Sequence, residues 1–208
     1  MNRLKEAFDT VKVREKLKSD TLSSIYERRR VSYKSVLAMA FVLLLMLSVG
    51  GVLYMTPVSS ISVDINPSLE LGVNRFDRVI SAKAYNQDGE KLLKEVNVLF
   101  KKYDDALLEI VECDYINEFL NNNEVLDISV VNDESGVMLQ RIRDCVGHHD
   151  GVHCHGINGD DNAHKHGLSY GKYNAYMELK EKYGDIDIED IRDLSMREIH
   201  ELEVHHGH

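Results

Sequence analysis

Apolar residues follow three patterns along this chain, and each pattern predicts a different kind of element. A run without a charged side chain covers residues 36–55, which is long enough to cross a hydrocarbon core of about 30 Å as a helix. Alternation of apolar and polar residues predicts β-strands over 60–65, 68–73, 78–85 and 125–131. Apolar residues spaced three and four apart predict helices over 103–120, 134–146 and much of 168–208.

These elements predict an α+β fold whose strands open as a β-meander. The expected segments are a short cytoplasmic helical segment at 1–34, a transmembrane helix at 35–56, a compact extracytoplasmic α+β domain at 57–146, a loop at 147–167 and a C-terminal helical tail at 168–208. The stretch 86–89, Asn-Gln-Asp-Gly, has turn formers and is expected to close the meander. In the tail, Ser195 and Glu198 match a helix-capping box.

Basic residues flank only the N-terminal side of the apolar run. Arg28, Arg29, Arg30 and Lys34 precede it, and the next basic residue is Arg75. The positive-inside rule therefore predicts a single-pass protein of the cell membrane with a cytoplasmic N-terminus and an extracytoplasmic C-terminus. The rival is a cleaved signal peptide, but its basic region would be about 35 residues long and no A-x-A-like cleavage motif follows. We therefore expect an uncleaved anchor in the lipid bilayer.

Charge divides at the same point of the sequence. Residues 1–34 contain ten basic and five acidic residues, and residues 35–208 contain 15 basic and 30 acidic residues. A net charge of −15 on the second part disfavours nucleic acid or anionic lipid as its partner, because both would be repelled. We expect no direct contact with nucleic acid.

The N-terminal segment has an apolar stripe formed by Leu4, Phe8 and Val11 at helical spacing. Thirty-four residues cannot build a hydrophobic core of their own. Two interpretations remain open: a basic amphipathic helix that lies on anionic lipid, or a helix whose stripe binds a groove of a protein partner.

The stretch 59–70, SSISVDINPSLE, interrupts a strand pattern with Asn66-Pro67. Proline has no N–H for a β-ladder, so Pro67 predicts a turn or an irregularity. Asn-Pro also has a chemistry of its own, because the Asn66 side-chain amide can attack its own backbone carbonyl and expel the proline nitrogen. Asp64 and Ser68 are the nearest candidates to assist such a step. The alternative is that Asn66-Pro67 only forms a turn between two strands.

The order of the segments and one long motif resemble the RsgI-type anti-sigma factors, membrane regulators of Gram-positive bacteria. The matching residues of the motif are Asp64, 66–68, Glu70, 74–75, 79–80, Ala84, Asn86 and 88–89. A second stretch, 168–202, looks like the helical tail of many members. The N-terminal segment departs from the family, because it is shorter than the β-rich cytoplasmic domain of typical members.

The resemblance implies a function in transcription regulation and signal transduction. An alternative sigma factor would be sequestered at the membrane by the N-terminal segment, with Leu4, Phe8 and Val11 as the contact residues. The outer domain would cut itself at Asn66-Pro67 as a single autoproteolytic event. A site-specific protease and an intramembrane protease would then release the sigma factor.

Six histidines fall within 148–166, a composition that permits a transition-metal site. They are His148, His149, His153, His155, His164 and His166. Imidazole binds zinc, nickel or copper, but the spacing matches no defined motif. The alternatives are a solvated linker and a pH-sensitive loop, since histidine changes its charge between pH 5 and 8. A membrane-anchored extracytoplasmic protein that binds a transition metal is thus the alternative function, although the anti-sigma function requires no cofactor.

Three cysteines, Cys113, Cys145 and Cys154, follow the apolar run, where a disulfide is allowed. At most one pair forms within a chain, and Cys145–Cys154 and a pair that includes Cys113 are both compatible with the sequence. The sequence contains no Ser-His-acid, Walker or HExxH signature of a turnover enzyme. We therefore expect a regulator and not an enzyme.

Overall fold

The computed structural model describes residues 32–131, 133, 136–184 and 186–205, with side chains as far as residue 202. The chain divides into two compact units, 1–49 and 50–208. The predicted partner-binding residues Leu4, Phe8 and Val11 lie outside the described residues. Their role stays a prediction.

Helix α1, Tyr33–Met55, is the predicted membrane helix. It has 23 residues, none of them buried, and a mean hydropathy of 2.7. Its length and composition suffice to cross a bilayer. An apolar helix with no buried face needs an apolar environment around it, which a membrane supplies. Its orientation across the membrane stays a prediction.

The sheet domain, which we define as residues 57–205, is built on a five-stranded sheet of order β3-β2-β1-β4-β5. The strands are β1 (Pro57–Asp64), β2 (Ser68–Asn74), β3 (Val79–Ala84), β4 (Leu126–Val131) and β5 (Val152–Ile157). Strand β1 lies at the centre of the sheet and pairs antiparallel with both β2 and β4. Strand β3 extends the sheet beyond β2, and β5 pairs parallel with β4. The predicted meander of β1, β2 and β3 is confirmed.

Helices surround this sheet, and together with it they confirm the predicted α+β class. Those described after α1 are α2 (Gln87–Glu95), α3 (Tyr103–Glu112), α4 (Asp114–Asn121), α5 (Val137–Val146), α6 (Asn162–Lys165), α7 (Tyr170–Tyr183), α8 (Ile188–Arg192) and α9 (Met196–His205). The helix predicted over 103–120 is two helices, because the backbone at Cys113 is extended, with φ −69° and ψ 149°.

Two clusters of buried hydrophobic residues form the core of the sheet domain. The first joins Ile61 and Val63 of β1 and the apolar residues of β4 to α3 and α5. The second lies among the helices after residue 162 and includes Tyr173, Leu179 and Ile199. Helix α7 contacts β1 and β4, and the polar residues Ser62 and Asp64 beneath it are buried. The predicted tail is therefore part of the sheet domain, and its packing gives β1 no solvent-exposed face at its C-terminal end.

Two predictions of irregular structure are wrong. The stretch 147–167 is not a loop throughout, because it contains β5 and α6. Its strand is an edge strand whose backbone pairs with β4, so it needs few apolar side chains. The stretch 86–89 does not form a turn that closes the meander, since Asn86 is the N-cap of α2 and 87–89 are its first residues.

Candidate functional site

The Asn66–Pro67 bond lies in the tight connection between β1 and β2. The two strands pair as far as Asp64 and Ser68, so residues 65–67 lie outside the antiparallel ladder. Ile65 N donates to Pro67 O at 3.0 Å and closes the turn. Pro67 needs no N–H at this position, which explains how the sheet accommodates it. The sequence interruption is thus a turn that places one peptide bond at the end of the central strand.

The side chain of Asn86 holds the carbonyl group of the Asn66–Pro67 bond. Its Nδ2 donates to Asn66 O. Its Oδ1 accepts from Ser68 N at 3.0 Å and from Gly89 N at 2.8 Å. Only the amide oxygen can accept these two hydrogen bonds, so they fix Nδ2 toward Asn66. A donor fixed on a carbonyl oxygen is the arrangement that stabilises the oxyanion of an acyl transfer.

Strand β3 and helix α2 together position Asn86. Tyr85 N donates to Ser68 O at 2.8 Å and continues the pairing of β2 with β3. Asn86 then caps α2 from an extended backbone, with φ −144° and ψ 174°. Helix α2 approaches β2 so closely that a Cβ on Gly89 would lie 2.4 Å from Ser68 O. A glycine is therefore required in this first turn for Asn86 to reach the Asn66 carbonyl.

Asp64 is the buried acid beside the turn. Its carboxylate accepts hydrogen bonds from the hydroxyl groups of Ser62 at 2.7 Å, Ser68 at 2.5 Å and Ser169 at 2.6 Å. Burial raises the pKa of Asp64 from 3.8 to about 6, and these three hydrogen bonds oppose that shift. A carboxyl group with a pKa near 6 exists in both protonation states close to neutral pH, as an acid or a base of a reaction must.

We expect Asp64→Asn to reduce the pH dependence of the free energy of unfolding between pH 4 and pH 7. The raised pKa means that the native state binds the proton more tightly than the unfolded chain, so this stabilisation is lost as the pH rises through 6. Over this range the free energy of unfolding of the wild type should fall by about 2 kcal/mol relative to the variant. Urea unfolding at each pH measures the difference.

The matched control for this measurement is Asp150→Asn, which changes an exposed carboxylate. Its pH dependence should follow the wild type. A constant difference between wild type and Asp64→Asn across the pH range would contradict a raised pKa at Asp64.

The C-terminal helices complete the site from the other side of the sheet. Ser169, the N-cap of α7, donates to Asp64, and Gly171 N donates to Ser62 Oγ at 3.1 Å. A Cβ on Gly171 would lie 2.4 Å from Asp64 Oδ2, so a glycine is needed at this close approach. Met196 N, at the start of α9, donates to Ile65 O at 3.0 Å. The turn is therefore held by residues from both ends of the sheet domain.

Comparison with known proteins identifies the family. The model of the anti-sigma factor RsgI-like central domain matches residues 58–178, which is more than half of the chain. The chain belongs to the RsgI-type anti-sigma factor family. The matched region begins in β1 and ends in α7, so it contains the Asn66–Pro67 turn, Asp64, Asn86 and Ser169.

Several curated RsgI proteins are similar to this chain. Anti-sigma-I factor RsgI7 of Acetivibrio thermocellus is 32% identical over 99 residues, which cover 48% of this chain and 18% of the relative. RsgI9 of the same organism is 28% identical over 153 residues, 64% of this chain and 21% of the relative. RsgI of Bacillus anthracis is 33% identical over 72 residues, 34% of this chain and 16% of the relative. The matches therefore span about a fifth of the length of these relatives.

The site of this RsgI-family chain contains residues that the sequence suggested and others, such as Asn86 and Ser169, that it did not. Asp64 and Ser68 lie beside the turn and hydrogen-bond each other. Asn86 was predicted only as a turn former and a residue of the motif, yet it is the donor to the Asn66 carbonyl. Leu92 and Val96 follow Asn86 and are four positions apart, which is typical of a helix that begins near Asn86. This spacing could have indicated a helix cap at that residue.

The six histidines of this RsgI-family chain have different neighbours. His148 and His149 have ring centroids 4.5 Å apart. The others lie near Asp127 (His153), Ser129 (His155), Glu70 (His164) and Tyr173 (His166). Among the residues that the structure describes, no group of three or more His, Cys, Asp or Glu side chains is arranged to hold a metal ion. Binding of zinc, nickel or copper at these histidines stays a prediction.

All three cysteines of this RsgI-family chain are free thiols in the structure. Burial raises the pKa of Cys113 and of Cys145, and it raises the pKa of Cys154 to about 11. Cys154 is therefore protonated at neutral pH and is a poor metal ligand without a change in its surroundings.

Proposed function

We propose that this protein is a single-pass membrane anti-sigma factor whose sheet domain cleaves itself between Asn66 and Pro67. In this proposal, residues 1–34 hold an alternative sigma factor in the cytoplasm and residues 57–208 lie outside the membrane. Family membership supports the anti-sigma function, and the apolar helix α1 supports the single membrane pass. The hydrogen bond from Asn86 Nδ2 to Asn66 O is the observation on which self-cleavage rests.

Self-cleavage proceeds through the side chain of Asn66. Its Nδ2 attacks the backbone carbonyl carbon of the same residue and closes a five-membered succinimide ring. The bond from that carbon to the Pro67 nitrogen breaks, and the proton lost from Nδ2 is balanced by the proton that the proline nitrogen gains. Pro67 becomes the N-terminus of the second fragment. It has no hydroxyl or thiol group, so an N→O or N→S acyl shift at this bond is excluded.

The surrounding residues have separate roles in this step. Asn86 stabilises the negative charge that develops on Asn66 O. Asp64, with a pKa near 6, serves the proton transfer. Ser68, which follows Pro67 in the chain, donates a hydrogen bond to this carboxylate. The proline favours cleavage over deamidation, because its nitrogen has no hydrogen and cannot attack the Asn66 side chain.

Cleavage does not by itself separate the two fragments. Strand β1 belongs to the fragment 1–66, and it remains paired with β2 and β4 of the fragment 67–208. Withdrawal of the outer fragment, by force, ligand-linked unfolding or a site-specific protease, would leave residues 57–66 beyond the membrane helix. An intramembrane protease would then cut the shortened protein and release the sigma factor.

The test of cleavage is the intact mass of the full chain, purified in detergent and measured under denaturing conditions. We expect two fragments that meet at Asn66 and Pro67, and a single uncut chain from the Asn66→Ala reference. A single uncut chain from both proteins would contradict self-cleavage.

The test of sigma binding is separate. The full chain should retain its sigma factor in a pull-down, and Leu4→Ala with Phe8→Ala should weaken that retention. Unchanged retention in the double variant would contradict the role of the apolar stripe while leaving the cleavage result intact.

A further inference from the structure

We propose that one corner of the sheet domain docks on the phospholipid headgroups of the membrane that α1 crosses. This juxtamembrane patch combines the turn between β2 and β3 with the segment that precedes α3. Its exposed apolar residues are Phe76, Leu99 and Phe100, and its basic residues are Arg75, Arg78 and Lys102. Apolar side chains with basic neighbours are the combination that binds the interface of a bilayer.

Backbone hydrogen bonds join the two parts of the patch into one surface. Phe100 N donates to Val79 O at 2.7 Å, and Val79 N donates to Lys101 O at 2.9 Å. The Arg78 side chain donates from Nη1 to Phe100 O at 3.2 Å. Phe76 and Phe100 are therefore presented together by a defined structure, although they are 24 positions apart in the sequence.

The patch is connected to the last turn of α1. Asn74 Nδ2 donates to Tyr54 O at 2.7 Å, and the ring of Phe76 stacks on the ring of Tyr54 at 5.9 Å between centroids. Asn74 Oδ1 also accepts from Phe76 N at 2.9 Å, which fixes the turn on the helix end. Tyrosine at the end of a membrane helix marks the headgroup level. Phe76 is thus placed beside that level by its own contacts.

The backbone of Phe100 is strained, and its hydrogen bonds to Val79 and Arg78 hold it in this conformation. Its φ is 63°, in the left-handed region that bulky residues rarely adopt. The side chain that this conformation presents is 52% exposed. Hydrogen bonds within the domain thus hold an aromatic side chain at the surface, where lipid headgroups can reach it. Insertion between lipid headgroups would use it.

The local charge of the patch is opposite to that of residues 35–208 as a whole. In the described part of the chain, Arg75, Arg78 and Lys102 have no carboxylate partner. The acid within the turn, Asp77, pairs with Arg141 at 3.1 Å. The patch therefore complements lipid phosphates, while the acidic remainder of the domain is repelled from them. Net charge alone disfavours lipid as a partner, but this surface is a local exception.

Tryptophan fluorescence tests the proposal directly, because the chain contains no tryptophan. Phe76→Trp and Phe100→Trp are each introduced into the full-length Asn66→Ala chain, so that the covalent link is intact whether or not the wild type cleaves. The proteins are reconstituted in phosphatidylcholine and phosphatidylglycerol vesicles whose acyl chains are brominated near the headgroup. We expect each variant to lose most of its emission relative to unbrominated vesicles.

Met177→Trp is the matched control, since Met177 is 42% exposed on α7 and lies outside the patch. Its emission should be unaffected by brominated lipid. An equal fractional loss of emission in brominated vesicles from Phe76→Trp and Met177→Trp would overturn the proposal. So would protection of the Phe76→Trp variant from both brominated lipid and aqueous iodide, which would show that protein covers the patch.

A charge-reversal variant separates docking from mere closeness to the bilayer. In the Phe76→Trp protein, Arg75→Glu with Lys102→Glu should restore much of the quenched emission, because lipid phosphates would repel the new carboxylates. Quenching that is unchanged by this double substitution would overturn the role of the basic residues and, with it, docking on headgroups.

Discussion

Asn86→Asp is expected to slow cleavage at Asn66–Pro67 by about 10²–10³-fold, the loss typical of removing one oxyanion donor. The substitution replaces Nδ2, which donates to Asn66 O, with an oxygen that cannot donate. The hydrogen bonds from Ser68 N and Gly89 N to the other oxygen are retained. Aspartate is also a favourable N-cap, so α2 should begin at the same position.

The measurement is the fraction of uncut chain against time after a short pulse of synthesis, resolved by mass under denaturing conditions. Asn121→Asp is the matched control, because it makes the same change at the exposed end of α4. Asn86→Ser is a second variant that keeps a cap and removes the donor without adding a charge. Cleavage at the wild-type rate in both Asn86 variants would contradict an oxyanion role for this residue.

Sequence patterns predicted the elements whose signals are local. The alternation in β1, β2 and β4 gave each strand within three residues of its observed ends, because one face of each strand packs against apolar helices. The predicted capping box is confirmed by Ser195 N, which donates to Glu198 Oε2 at 2.7 Å, and by Glu198 N, which donates to Ser195 Oγ at 3.3 Å. Such signals depend on residues three or four positions apart.

The elements that the sequence did not predict depend on distant partners. Strand β5 is defined by its parallel pairing with β4, for which Val152 lies opposite Leu126. The hydrogen bond from Ser169 to Asp64 joins residues 105 positions apart. Neither relation leaves a periodic pattern in the chain.

Only part of the candidate site could therefore be predicted from the sequence. Asn66-Pro67 and the nearby Asp64 could be identified from their chemistry and spacing. The donor Asn86 is brought to the Asn66 carbonyl by the pairing of β3 with β2 and by the close approach of Gly89. Because that approach is tertiary, the sequence showed Asn86 as a former of local structure and not as a participant in a reaction.

The packing of β1 is expected to retain the outer fragment after cleavage. We expect Ile61→Ala to make the cleaved protein shed its outer fragment far more readily. Ile61 is fully buried in β1, where it lies opposite Leu71 of β2 and Val130 of β4. Truncation of a buried isoleucine costs about 2–5 kcal/mol. That cost corresponds to a weakening of fragment association by roughly 30-fold to 4 × 10³-fold.

Shedding is measured on the full chain in lipid nanodiscs immobilised through its N-terminus, as the fraction of fragment 67–208 released at increasing urea. Val58→Ala is the matched control on the same strand, since Val58 is 45% exposed and its truncation leaves little cavity. Ile61→Ala combined with Asn66→Ala should release no fragment, which separates lost retention from lost integrity of the chain.

Equal release from Ile61→Ala and Val58→Ala would contradict retention by the packing of β1. Greater release from Ile61→Ala would mean that the central strand, the one element of the sheet that stays with the membrane helix after cleavage, sets the threshold for the signal. The position of β1 between β2 and β4 makes that threshold high, because withdrawal of the outer fragment must break two ladders and expose the buried face of the strand together.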